Sequence, residues 1–178
     1  RYAALCQEAD IVPIVEPEVL IDGDHTIEQC RQVTAETWYH LYNQMHLQDV
    51  LLEGSLLKAS MVLSGKGCSE QASVEEVAEE TVSLARELVP AAVPGIVFLS
   101  GGQAPVRATQ HLDAMNRLGE QPWKLGFSYA RALQEPVMQV WRGDDGNAEA
   151  AQKALFQRAK LNSEAMLGRY SSAMEEAA

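Results

Sequence analysis

The sequence predicts an α/β fold built on a parallel sheet. Four short apolar segments, each bounded by Gly, Pro or polar residues, have the composition of buried strands; they are residues 11–18, 50–58, 95–100 and 124–129. The first three are followed by stretches with helical periodicity. Strands that alternate with helices form parallel sheets through right-handed crossovers, and the spacing of the strand ends, roughly 30–40 residues, is typical of such units.

Local signals define the first three long helices. Capping boxes at residues 26–29 and 73–76 predict helix starts, and apolar stripes continue them over 27–45 and 74–89. The third helix is predicted over 106–118, where a glycine follows it.

The two ends of the chain are also helical in pattern. A short helix is predicted over 133–141, and Asn147 is expected to cap a longer one over 148–168. Residues 171–178 are expected to be frayed. Residues 1–9 have the pattern of the tail of an amphipathic helix without a capping residue, which suggests that the chain is a fragment or a processed product.

Four βα units could form an open sheet or half of an eight-stranded barrel. A (β/α)₈ barrel needs about 250 residues, and this chain has 178. No linker divides it, so we expect one domain over residues 1–178 that cannot close a barrel by itself.

Composition excludes several classes of function. Fourteen basic against twenty-five acidic residues give a net charge of -11, which argues against nucleic acid as a partner. No apolar stretch reaches the ~20 residues that span a bilayer, and no signal peptide is recognisable. The three irregularly spaced cysteines favour a reducing, cytoplasmic location over a disulfide framework.

Lys58 ends the second predicted strand and is the most informative residue. Burial against apolar walls favours the neutral amine, because desolvation penalises the ammonium. A neutral lysine amine can attack a carbonyl and form a Schiff base. The alternative is a strand-end lysine whose ammonium reaches solvent.

Two carboxylates follow the first predicted strand. Glu16 and Glu18 are two positions apart, so an extended chain points them the same way. Their repulsion would raise one pKa and suit proton transfer. The alternative is a solvated acidic loop.

The ends of the third and fourth strands predict a phosphate site. Ser100 precedes Gly101 and Gly102, and paired glycines between a strand and a helix free backbone N–H groups for an anion. Arg131 lies just past the fourth strand and could clamp a phosphate. The alternatives are a simple tight turn for the glycine pair and a surface salt bridge for Arg131. Because the two features occur at adjacent strand ends, together they favour the phosphate site. The histidines lack the spacing of metal ligands, so no metal site is predicted.

Four segments in order resemble class I fructose-bisphosphate aldolases. They are residues 11–18, 52–58, 98–103 and 127–134, and residues 22–25 also look like the family's. The resemblance runs along essentially the whole chain but covers only about the C-terminal half of the family sequence. It implies strands five to eight of a TIM barrel, followed by C-terminal helices.

The resemblance also implies roles. Lys58 would form the Schiff base with the ketone of fructose 1,6-bisphosphate, Glu16 would help to dehydrate the carbinolamine, and Glu18 would support both electrostatically. The substrate phosphate would be held by the set Ser100, Gly101, Gly102, Ala130 and Arg131. No cofactor or metal would be needed, because the iminium is the electron sink.

Departures from the family leave alternatives open. Ala130 stands where the family usually has glycine, and Ala59-Ser60 where it commonly has Pro-Asn. The first half of the family sequence, with an aspartate and further basic residues, is missing, so we expect weak activity from these residues alone. A Schiff-base aldolase for another sugar phosphate and a non-catalytic interaction module are the alternatives. The family also suggests a homo-oligomer.

Overall fold

The computed structural model describes residues 1–176, which form a four-stranded parallel sheet in the order β1-β2-β3-β4. All three neighbouring pairs run parallel, as the sequence predicts. The strands are β1 Ile14–Val15, β2 Leu56–Ala59, β3 Gly95–Phe98 and β4 Lys124–Phe127.

Six α-helices within these residues accompany the sheet. They are α1 Tyr2–Glu8, α2 Ile27–Leu47, α3 Val74–Leu88, α4 Pro105–Arg117, α5 Arg131–Trp141 and α6 Ala148–Met166. Short 3₁₀ turns occupy Leu52–Gly54, Asp145–Asn147 and Ser172–Glu175. None of the helices within residues 1–176 combines the length and the hydropathy of a membrane-spanning segment.

Both predicted capping boxes are confirmed. The Thr26 hydroxyl accepts from the Gln29 amide at 3.4 Å, and the Gln29 side chain accepts from the Thr26 amide at 2.8 Å. Ser73 and Glu76 exchange the same two bonds at the start of α3. Each box satisfies two backbone N–H groups that a helix start otherwise leaves unpaired.

All four strands are shorter than predicted, the first two most of all. Residues 50–55 form a loop and a 3₁₀ turn instead of a strand. The side chain of Gln7 takes the place of a strand partner there: its amide donates to the Leu51 carbonyl at 2.8 Å, and its oxygen accepts from the Leu51 amide at 3.0 Å. Asn147 does not cap α6 through its side chain; its amide donates to the Trp141 carbonyl instead.

The predicted fraying of residues 171–178 is wrong up to residue 176. Arg158 of α6 is 5% exposed and forms an ion pair with Glu175. The Tyr170 hydroxyl donates to Glu175 at 2.9 Å, and burial, followed by this contact, raises the pKa of Tyr170 to about 12. Residues 177–178 lie outside the described part of the chain.

The main core lies on one face of the sheet. Alternating strand residues pack there against buried side chains of α2, α3 and α4. Among the largest side chains in this core are Leu57, Ile96, Phe98, Trp38, Leu84, Leu112 and Met115. Because successive strand residues point to opposite faces, Lys58 lies on the other face, between buried Leu57 and buried Ala59.

Candidate active site

Lys58 is held on the sheet by its strand neighbours. It is the third residue of β2 and pairs with Val97 of β3, so it lies one position before the strand ends. Its side chain is only 21% exposed, and Nζ lies 2.9 Å from Oε1 of Glu16. The β1–β2 register pairs Val15 with Leu57, so the residues that follow them, Glu16 and Lys58, lie side by side. The lysine and a carboxylate therefore meet at the carboxyl edge of the sheet.

The two carboxylates differ in what they reach. Glu16 contacts Lys58, although its side chain is 45% exposed. Glu18 is exposed and forms no ion pair within residues 1–176. The Val19 amide donates to the Ser60 hydroxyl at 3.2 Å, which ties the segment after β1 to the end of β2. A single carboxylate, not both, is thus within proton-transfer distance of the amine.

A tight glycine turn follows β3. Ser100, which directly precedes the two glycines, is 3% exposed. Gly101 has φ +59° and Gly102 φ +86°, values that L side chains rarely adopt. The Gln103 amide closes the turn on the Ser100 carbonyl at 2.9 Å. The helix α4 then begins at Pro105 without a side-chain cap.

The end of β4 lies beside this turn. The Ser128 amide donates to the Phe98 carbonyl at 2.8 Å, which joins the two strand ends. Ala130 has φ -95°, a conformation that alanine adopts freely, so glycine is not required there. Arg131 opens α5, and a Cβ added to Gly102 would lie 2.8 Å from its Nη1. The residues predicted to hold phosphate are therefore neighbours in space.

Lys66 was not among the sequence-predicted site residues. A Cβ on Gly102 would lie 2.9 Å from its Nζ, so it reaches the same glycine as Arg131. It follows β2 between Gly65 and Gly67. A lysine between two glycines after a strand could have been recognised as a candidate site residue. No neighbouring residue in the sequence indicates that its side chain reaches the turn after β3.

A small cavity of about 200 Å³ adjoins the glycine turn, with Lys66, Gln103, Arg107 and His111 among its lining residues. His111 is 2% exposed, and its Nδ1 lies 2.7 Å from the Gln103 side-chain oxygen. Burial, with a smaller contribution from Arg107, lowers the pKa of His111 from 6.5 to about 3. The ring is therefore neutral at physiological pH. Within residues 1–176 no cluster of three or more His, Cys, Asp or Glu side chains has the geometry of a metal site.

A family model and the similar proteins of known sequence all point to one family. The family model "Glycolytic: Fructose-bisphosphate aldolase class-I" matches residues 1–178. A probable fructose-bisphosphate aldolase class 1 of Xanthomonas campestris is 56% identical over 171 residues, which is 96% of this chain and 51% of that protein. A fructose-bisphosphate aldolase of Dictyostelium discoideum is 49% identical over 170 residues, 96% of this chain and 48% of that protein.

A solved structure shares the fold. The fructose-bisphosphate aldolase of Plasmodium falciparum, in a ternary co-crystal with TRAP and a small-molecule inhibitor, superposes with a TM-score of 0.94 at 45% identity. The superposition covers 96% of this chain and 49% of that one. The chain thus spans about half the length of the relatives it matches, and its four strands correspond to half of a TIM barrel.

Proposed function

The chain belongs to the class-I fructose-bisphosphate aldolase family, and we propose that it carries the Schiff-base half of that active site. Lys58 is the nucleophile for the keto group of fructose 1,6-bisphosphate. The observation that carries the proposal is the 2.9 Å approach of the Lys58 amine to the Glu16 carboxylate. Both groups lie at the sheet edge where parallel α/β folds assemble their sites.

The chemistry begins with proton transfer. Glu16 takes a proton from the ammonium of Lys58, and the free amine attacks the C2 carbonyl to give a carbinolamine. Glu16 then returns the proton to the C2 hydroxyl, which leaves as water, and an iminium remains. Glu18, exposed two positions on, contributes negative potential to this cationic intermediate.

Cleavage follows from the electron demand of the iminium. Loss of the C4 hydroxyl proton forms the aldehyde of glyceraldehyde 3-phosphate, and the electrons of the C3–C4 bond move onto the iminium nitrogen as an enamine. Protonation at C3 and hydrolysis release dihydroxyacetone phosphate and restore Lys58. The iminium supplies the electron sink, so the scheme requires no metal or other cofactor.

The phosphate nearer the ketone is held by the turn after β3 and the start of α5. The Ser100 hydroxyl and the N–H groups of Gly101, Gly102 and Ala130 donate to it, and Arg131 supplies a guanidinium fork. Fixing the phosphate orients the ketone toward Lys58 and lowers the entropic cost of attack.

We also propose that residues 1–178 form one partial domain whose activity needs further strands. Support comes from the share of the relatives covered and from the β1 edge, where Ile11, Val12 and Ile14 are 59%, 62% and 44% exposed. An open edge with exposed apolar residues is costly in water. The family relationship supports a homo-oligomer and a cytoplasmic location as further proposals.

Borohydride trapping tests the proposal. The chain is incubated with dihydroxyacetone phosphate, reduced, digested and analysed by mass spectrometry, and the added mass is expected on Lys58. Lys124, exposed at the opposite end of the sheet, is the internal control and should stay unmodified. Modification that is equal at both lysines, or absent from Lys58, contradicts the Schiff-base role.

Borohydride trapping and a cleavage assay together separate the two alternatives from the proposed function. An aldolase for another sugar phosphate still forms the Lys58 adduct but cleaves fructose 1-phosphate faster than fructose 1,6-bisphosphate, once the remaining strands are supplied. A non-catalytic interaction module forms no adduct at all.

A further inference from the structure

Two cations of this acidic chain converge on one glycine. Nζ of Lys66 and Nη1 of Arg131 lie 2.9 and 2.8 Å from the position that a Cβ on Gly102 would take. Because both nitrogens lie next to the same position, the two cations are close to each other, and like charges repel unless an anion lies between or beside them. Arg131 forms no ion pair within residues 1–176, so its charge is not balanced by a described acidic side chain.

The position of Lys66 is fixed by backbone bonds. The Lys66 amide donates to the Ile21 carbonyl at 2.8 Å, and those of Gly65 and Gly67 donate to His25 and Gly23 at 2.8 and 2.7 Å. A Cβ on Gly65 would lie only 2.6 Å from the Gly23 carbonyl oxygen, so the two segments fit together only with glycine there.

The acidic partner of Lys66 is weakly held. Nζ lies 3.1 Å from Oδ1 of Asp22, whose side chain is 73% exposed. An exposed pair of this kind contributes little, because both side chains are solvated and screened. The ammonium is therefore free to exchange Asp22 for a stronger anion.

The neighbouring turn offers the complementary groups. Ser100 is 3% exposed, and its hydroxyl and the backbone N–H groups of Gly101 and Gly102, which follow it, are possible donors to an anion. A phosphomonoester dianion matches these donors and the two positive charges, whereas a monoanion balances only one of them.

We propose that Lys66 is the second cation of the phosphate site, beside Arg131, and that Asp22 competes with the substrate phosphate for it. Lys66 thereby sets the preference of this site for a dianionic phosphomonoester. The inference rests on the phosphate site of the proposed function and assigns it a residue on the loop after β2.

Titration calorimetry with inorganic phosphate tests the assignment. Lys66→Met keeps the length of the side chain and removes its charge, and we expect the Kd for phosphate to rise about 10-fold, as for loss of one charged hydrogen bond. Asp22→Asn removes the competitor, and we expect the Kd to fall about two- to fivefold. Lys153→Met removes a similar exposed ion pair on α6, with Glu149 at 3.1 Å, and should leave the Kd unchanged.

The outcomes separate this inference from the proposed function. An unchanged Kd in Lys66→Met, or a higher Kd in Asp22→Asn, overturns the inference. The proposed role of Arg131 in the phosphate site is unaffected by either result. An absence of phosphate binding in the unaltered chain overturns both the inference and the phosphate site. Trapping with dihydroxyacetone, which has no phosphate, tests the Schiff base at Lys58 independently of either result.

Discussion

Replacing Gly102 by alanine should damage both stability and phosphate binding. At φ +86° the left-handed backbone costs an alanine about 1–2 kcal/mol. For a domain of this size the melting temperature should fall by about 2–8 °C. The new methyl also lies 2.8 Å from Arg131 Nη1 and 2.9 Å from Lys66 Nζ. Both side chains must move, so we expect the Kd for inorganic phosphate to rise at least about 10-fold.

Gly119 provides the matched control for this substitution. It has φ +92°, and apart from its chain neighbours no atom of residues 1–176 lies within 4 Å of a Cβ placed there. Gly119→Ala should therefore show the same loss of melting temperature with an unchanged Kd. Thermal unfolding measures the first quantity and calorimetry the second. If Gly102→Ala binds phosphate as tightly as Gly119→Ala, the two cations do not form the phosphate site, and the reasoning fails.

Three further predictions address the rest of the chain. Glu16→Gln removes the proton acceptor of the proposed scheme, so the rate of borohydride-trapped adduct formation should fall by at least about 100-fold, and an unchanged rate would reject the assigned role. Glu175→Gln leaves a buried guanidinium with a weaker partner and should cost about 2 kcal/mol in urea unfolding, whereas Glu149→Gln, from an exposed pair, should cost under about 0.5 kcal/mol. His111 is neutral in the folded chain, with a pKa of about 3, and has a pKa of 6.5 when unfolded. As the pH falls, the unfolded state therefore takes up a proton before the folded state does. The free energy of unfolding should decrease by about 2 kcal/mol between pH 7.5 and pH 5. Unfolding curves at both pH values should lose this contribution in His111→Asn and keep it in His40→Asn, and equal pH dependence in the two variants would contradict the assignment.

Features set by neighbouring residues were predictable from the sequence. The capping boxes at Thr26 and Ser73 depend on side chains three positions away, and both are present. The alternation of strands and helices gave the parallel sheet and the edge where Lys58 and Glu16 meet.

Features set by long-range contacts were not predictable. The loop at residues 50–55 depends on Gln7, and the ordered end of the described chain depends on Arg158 reaching Glu175. Glu16 forms an ion pair with Lys58 and Glu18 forms none within residues 1–176, a difference that strand alternation does not predict once β1 has ended at Val15. Lys66 reaches Gly102 only because two loops, each with its own strand, pack together.

The loop after β1 and the loop that carries Lys66 are joined by main-chain groups, with carbonyls of residues 21–25 accepting from the amides of residues 65–67. These main-chain bonds do not depend on the side chain at an exposed position such as Asp24, so that residue can vary through evolution without shifting the backbone of Lys66. A single inserted or deleted residue in either loop would break the pairing and displace the Lys66 ammonium from the glycine turn. Natural selection must therefore preserve the length of both loops, together with the glycines at positions 23 and 65.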